Sequence, residues 1–124
     1  MSVIEVDDET TEKHLEKIKQ EAGDKLVVVD FGAGWCQSCG TVKPVFTALA
    51  DQMKDSVVFV YCDVDENDDT AMELQIAALP AFHFYRSGKL VKDHQPWDEL
   101  IGAANQGGKA LEDLLRKEIQ TYSK

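Results

Sequence analysis

The segment Trp35-Cys36-Gln37-Ser38-Cys39 directly follows the run Leu26-Val27-Val28-Val29-Asp30-Phe31 and the turn-forming Gly32-Ala33-Gly34. A short β-branched apolar run bounded by glycines has the pattern of a central strand covered on both faces. Beyond the cysteines, Val42, Val45, Phe46, Leu49, Ala50 and Met53 keep a helical period, so 39–54 reads as a helix with Pro44 inside it. A proline there removes a backbone bond and is expected to kink the helix about one turn after the cysteines. The chain thus passes from a buried strand into a helix where two thiols stand a turn apart. With two residues between them the sulfurs can close a small disulfide ring, and the first lies at the helix N-terminus, where unpaired N–H groups favour a thiolate.

The rest of the chain supplies the elements around that junction. Leu15, Ile18 and Ala22 recur at helical spacing among charges, with Thr10 or Thr11 suited to cap a helix over 10–22 and Gly23 to end it. Val57-Val58-Phe59-Val60-Tyr61-Cys62 is a second apolar strand, followed by an acidic loop from Asp63 to Asp69. Thr70-Ala71-Met72-Glu73 has capping-box form and opens a short helix ending near Ile76. Ala81 to Tyr85 is a third strand, with Pro80 before it and the turn Arg86-Ser87-Gly88-Lys89 after it. Its hairpin partner is expected to end at Leu100-Ile101-Gly102, leaving Leu90 to Asp98 as a long connection. Leu111, Leu114, Leu115, Ile119 and Tyr122 share one face of a closing helix over 109–122.

Helix, strand, helix, strand, helix, strand, strand, helix is the resulting order. It implies right-handed βαβ crossovers followed by an antiparallel hairpin: an α/β fold whose central mixed sheet has helices on both faces. A chain of 124 residues, 44% apolar, is expected to form one domain over 1–124, with 1–5 and 121–124 as loose termini.

Charge narrows the partners. Acidic residues number 23 against 13 basic, a net −10, and phosphate binding wants the opposite sign, so nucleic acid is excluded. The opening Met-Ser-Val-Ile-Glu-Val-Asp-Asp-Glu has neither a basic n-region nor an apolar h-region, and no run has the length of a membrane span. A soluble, cytoplasmic protein, without membrane contact and monomeric, is expected. Cys36, Cys39 and Cys62 are too few for a disulfide framework; a close pair in such a protein is catalytic or metal-binding more often than structural. Cys62 reads as a small buried hydrophobe. Asp30, alone in its apolar strand, reads from the residues either as a strand-end group turning to water or as a buried acid.

Val27-Val28-Val29-Asp30-Phe31, Ala33, Trp35-Cys36-x-x-Cys39, Lys43-Pro44, Leu79-Pro80-x-Phe82 and Gly102-Ala103 together resemble the thioredoxin family, in order and at nearly the same separations, over about residues 6–120. The resemblance implies the thioredoxin fold and protein-disulfide reduction by dithiol exchange. It implies Cys36 as the attacking thiol, Cys39 as the resolving thiol, a redox-active Cys36-Cys39 disulfide, and Asp30 as a buried acid that takes the proton of Cys39. A desolvated carboxylate has its pKa raised, which suits that task. Pro80 resembles the family's cis-proline beside the active site, and Trp35, Leu79, Pro80, Gly102 and Ala103 are the implied substrate surface. Trp35 and Trp97 each have a plainer reading as packed aromatics. The implied partners are disulfide-containing proteins and a thioredoxin reductase using NADPH, with no cofactor bound to this chain and no metal. A zinc half-site and two inert thiols are the competing readings of the cysteines, but zinc takes about four ligands, and Cys62, His14, His83 and His94 offer no second pair at ligand spacing.

Departures from the family pattern fall where the reduction potential is set. Gln37-Ser38 replaces the usual Gly-Pro, restoring an N–H donor and adding a hydroxyl near Cys36, both favouring the thiolate. One added hydrogen bond of about 1 kcal/mol raises a two-electron potential by some tens of millivolts, so a weaker reductant is expected. Gly40 stands where a lysine or arginine is usual, an opposing but screened effect. Tyr61 replaces an ionisable residue facing the buried acid. The hairpin connection is some six residues longer than the family norm and is expected at the end of the sheet away from the cysteines. An oxidase or isomerase, and a redox-dependent binding module, are the alternative functions.

Overall fold

A computed structural model describes residues 2–7 and 13–123. In chain order its elements are β1 (Val3–Glu5), α1 (His14–Ala22), β2 (Leu26–Gly32), α2 (Gln37–Met53), β3 (Val57–Asp63), α3 (Asp68–Glu73), β4 (Ala81–Arg86), β5 (Lys89–His94), α4 (Asp98–Gln106) and α5 (Gly108–Tyr122). The strands form one sheet in the order β1-β3-β2-β4-β5. β3 is parallel to β1 and β2, while β4 is antiparallel to β2 and β5, giving the expected mixed sheet.

β2 takes the centre because all seven of its residues are buried. Alternation sends Leu26 and Val28 into a layer with Val42, Phe46 and Leu49 of α2 and Leu111, Leu115 and Ile119 of α5. Val27, Val29 and Phe31 go into the opposite layer, with Leu15 and Ile18 of α1. Each such side chain contributes about 1.5–3 kcal/mol on burial, so a one-residue slip of β2 is prohibitively costly. That register places Asp30 and Gly32 on the α2 side.

The termini are more structured than expected. Val3–Glu5 pairs with Phe59, Val60 and Tyr61 as a parallel edge strand, and α5 continues to Tyr122, whose ring lies 5.4 Å from that of Phe84. The cap expected at Thr10 or Thr11 lies outside the described residues; α1 starts at His14, after Lys13 in the left-handed region. α2 runs through Pro44. α3 begins at Asp68, two residues before the expected Thr70, with Asp68 and Asp69 placing negative charge at its positive end.

The hairpin requires the main correction. Ser87 and Gly88, with φ of 51° and 80°, make a two-residue turn, so β5 starts at Lys89. It ends at His94, opposite Phe82, and not at Gly102. β4 begins at Ala81, so among the described residues it offers nothing for later residues to pair with. Those residues form helix α4 instead, with Asp98 and Glu99 in its first turn and Leu100 and Ala103 buried along with Trp97. The location also differs from expectation. Ala81 pairs with Phe31 at the end of β2 that leads to the cysteines, and β5 returns to that same end. Most of the expected connection is thus strand β5, and the stretch after His94 lies at the end of the sheet that leads to the cysteines. No described helix is long and apolar enough to cross a membrane.

Candidate active site

β2 ends at Gly32, and the chain turns through buried Ala33 and exposed Gly34 and Trp35 into α2. Cys36 is the N-cap of that helix, in extended conformation. Its N–H donates to the Ala33 carbonyl at 3.1 Å, and its own carbonyl accepts from Gly40 N–H at 3.3 Å. Its Sγ accepts from Cys39 N–H at 3.2 Å. A helix N-terminus leaves such N–H groups without intrahelical partners, and here one is aimed at the sulfur that most needs negative charge stabilised. Cys36 and Cys39 are joined by a disulfide, with Cα atoms 5.3 Å apart. Cys36 is half-buried and Cys39 buried, an asymmetry that lets a partner reach the first sulfur and not the second. Among the described residues no group of three or more His, Cys, Asp or Glu side chains is arranged to hold a metal ion.

Asp30 is fully buried, and neither carboxylate oxygen has a hydrogen-bond partner among the described residues. Desolvation raises its pKa to about 7, against a smaller lowering by the positive charge of Lys43. The strand-end reading of Asp30 therefore fails. Gly32 lies two residues on, on the same face of β2, where a Cβ would stand 2.9 Å from Tyr61 Oη and 3.4 Å from Cys39 Cβ. The acid, the tyrosine and the buried cysteine thus converge behind the disulfide. Lys43 holds its ammonium 4.3 Å from the centre of the Tyr61 ring, and burial, with Asp30 next, pushes the Tyr61 phenol up to about 12. Tyr61 is neutral at ordinary pH.

In front of the disulfide, Trp35 is 70% exposed, which removes its reading as a packed aromatic; its Nε1–H donates to Asp65 Oδ2 at 3.0 Å. The Leu79-Pro80 bond is cis. Pro80 is buried, Leu79 half-buried, and the Pro80 carbonyl accepts from Trp97 N–H at 3.1 Å. Gly102, expected at the end of a hairpin strand, and Ala103 lie inside α4, where Gly102 is half-buried and Ala103 buried. Trp97 follows its plainer reading: it is 2% exposed, edge-on to Phe82 at 5.0 Å and stacked on His94 at 4.2 Å. Gln37 is exposed and Ser38 half-buried, and Gly40 has open space where a side chain would begin. Cys62 is buried in the layer under α1.

Sequence reasoning missed the tie from Asp65 to Trp35 and the approach of α4 to the cysteines. The second had a signal, since Trp97, Leu100 and Ala103 recur every third residue, with the acids Asp98 and Glu99 between the first two.

The match with known proteins follows the same outline. The thioredoxin family model covers residues 3–106, from the start of β1 to the end of α4. Thioredoxin of Geodia cydonium is 41% identical over 107 residues, 86% of this chain and 92% of that one. Thioredoxin of Gallus gallus is 47% identical over 72 residues, 58% of this chain and 68% of that one. Among solved structures, Fasciola hepatica thioredoxin superposes with a TM-score of 0.74 at 32% identity over 100% of both chains. A chain of the complex of ferredoxin:thioredoxin reductase with thioredoxin f2 does so with a TM-score of 0.71 at 31% identity, covering 98% of this chain and 96% of that one. Sequence and fold agree over nearly the whole length, and the chain belongs to the thioredoxin family of thiol-disulfide oxidoreductases.

Proposed function

We propose that the chain reduces disulfides in other proteins, with Cys36 as nucleophile, Cys39 as resolving thiol and Asp30 as proton acceptor. The observation that carries this reading is the Cys39 N–H directed at Cys36 Sγ at 3.2 Å on a helix N-terminus. In the reduced protein the Cys36 thiolate attacks one sulfur of a substrate disulfide; a mixed disulfide forms and one substrate thiolate leaves. Asp30, whose pKa of about 7 lets it accept a proton near neutrality, deprotonates Cys39. The Cys39 thiolate attacks Cys36 Sγ and expels the second substrate thiolate, so two electrons pass to substrate and the Cys36-Cys39 disulfide closes. Exposed Trp35, with Leu79 and Pro80, offers the substrate its docking surface.

A thioredoxin reductase drawing on NADPH returns the disulfide to the dithiol. The structural likeness to a chain of the complex of thioredoxin f2 with ferredoxin:thioredoxin reductase supports a reductase partner. The test is NADPH-coupled reduction of insulin in the presence of a thioredoxin reductase. Turnover is expected, and a Cys39→Ser variant is expected to accumulate mixed disulfides through Cys36. Capture of partners without turnover would instead favour a redox-dependent binding module.

A further inference from the structure

The stretch after β5 is anchored to the floor of the active site. Gln95 Oε1 accepts from Ala77 N–H at 2.7 Å, Trp97 N–H donates to the Pro80 carbonyl at 3.1 Å, and the Trp97 ring is buried against Phe82 and His94. These ties hold α4 beside the start of α2. Between the two helices lies a cleft of about 220 Å³ lined by Gln37, Ser38, Thr41, Ile101, Ala104 and Asn105. That volume equals roughly seven waters at about 30 Å³ each, room for a serine- or asparagine-sized side chain with its backbone.

The lining has two properties that fix what fits. Two of its lining residues, Gln37 and Ser38, are the residues between the cysteines, so one wall begins at the residue next to Cys36 in the chain. It also carries no charged side chain, on a protein of net charge −10. Its polar groups are two carboxamides and two hydroxyls, and among the described residues none of the four side chains is engaged by a protein hydrogen bond.

We propose that this cleft is a specificity subsite, in which the α2 and α4 walls receive the substrate residue next to the attacked cysteine and favour a neutral polar side chain there. The proposal rests on Cys36 being the nucleophile and adds which substrates it prefers. Carboxamides on both walls offer donors and acceptors to an amide or hydroxyl. An apolar side chain leaves those groups unpaired, and a carboxylate enters a strongly negative surround.

The test uses cysteine peptides carried as mixed disulfides with 5-thio-2-nitrobenzoate, differing only in the residue on one side of the cysteine: Asn, Leu or Asp. Attack by Cys36 on the peptide sulfur forms one S–S bond, breaks another and expels the coloured aromatic thiolate; Cys39 then releases the peptide thiol. Pre-reduced protein suffices, and reaction with the symmetrical aromatic disulfide normalises each variant for dithiol reactivity. The Asn peptide is expected to react about tenfold faster than the Leu and Asp peptides. That preference is expected to fall within about twofold in Asn105→Leu, which removes one wall's amide, and in Ala104→Trp, which fills the cleft. Equal rates for all peptides on either side of the cysteine, or a preference surviving both substitutions, would overturn the subsite. No thiolate release from any disulfide would overturn the assignment of Cys36 itself, a different result from equal rates.

Discussion

Asp30 shows how much one residue's setting decides. Unfolded, its carboxyl ionises near the ordinary 3.8; folded, burial holds it near 7. The native state therefore keeps a proton that the unfolded chain has lost, and stability falls as pH rises through that window, levelling off above the folded pKa. A shift of about three units corresponds to about 4 kcal/mol. Asp30→Asn is expected to gain stability relative to the parent by about that amount between about pH 4 and pH 8, measured by urea unfolding at both ends. A constant difference would mean that the Asp30 pKa is not raised on folding. Gly32 is the other residue fixed by its neighbours, because an added Cβ meets Tyr61 Oη at 2.9 Å and Cε1 at 3.1 Å. Gly32→Ala is expected to cost about 1–3 kcal/mol by overpacking. Tyr61→Val in the same chain should recover most of it, and a double variant as unstable as the single one would place the strain elsewhere. The sequence offered Asp30 as an anomaly in an apolar strand, but Gly32 looked only like a turn residue, since the ring that crowds it comes from β3.

At the scale of elements, α4 separates what periodicity reveals from what pairing decides. β2, β3, β4, α2 and α5 are legible because each carries its own apolar pattern over several residues. The strand ending at Gly102 was inferred by extending a hairpin, and it fails because β4 supplies partners only as far as Ala81. β1 had no signal of its own and exists because β3 offers an open edge. α4 depends on the Trp97 anchor, whose ring lies 5.0 Å from Phe82 and 6.2 Å from Phe84. Trp97→Ala is expected to destabilise the protein by about 3–5 kcal/mol in denaturant unfolding. It should also raise amide exchange across Asp98–Gln106 relative to α5. Equal exchange in the two helices would show that α4 is held by something else.

For the whole molecule the reduction potential is the free-energy difference between the disulfide and dithiol forms, so anything touching only one of them sets it. The Cys39 N–H stands at the sulfur that carries charge only when reduced, and Gln37-Ser38 lie between the two cysteines in the chain. Replacing Gln37-Ser38 by Gly-Pro is expected to lower the potential by some tens of millivolts, measured by equilibration against a glutathione buffer; an equal or higher potential would remove these residues from that role. The sequence by itself determined the strand-to-helix junction, the dithiol, the buried layers and the family, because short-range patterns of apolarity, glycine and proline are written in consecutive residues. Only the tertiary structure decided that Asp30 is sealed with no hydrogen-bond partner among the described residues, that Tyr61 and Gly32 share one space behind Cys39, and that the stretch after β5 lies at the cysteine end of the sheet. Those facts depend on which strand lies beside which and where it ends, a matter of packing between residues far apart in the chain.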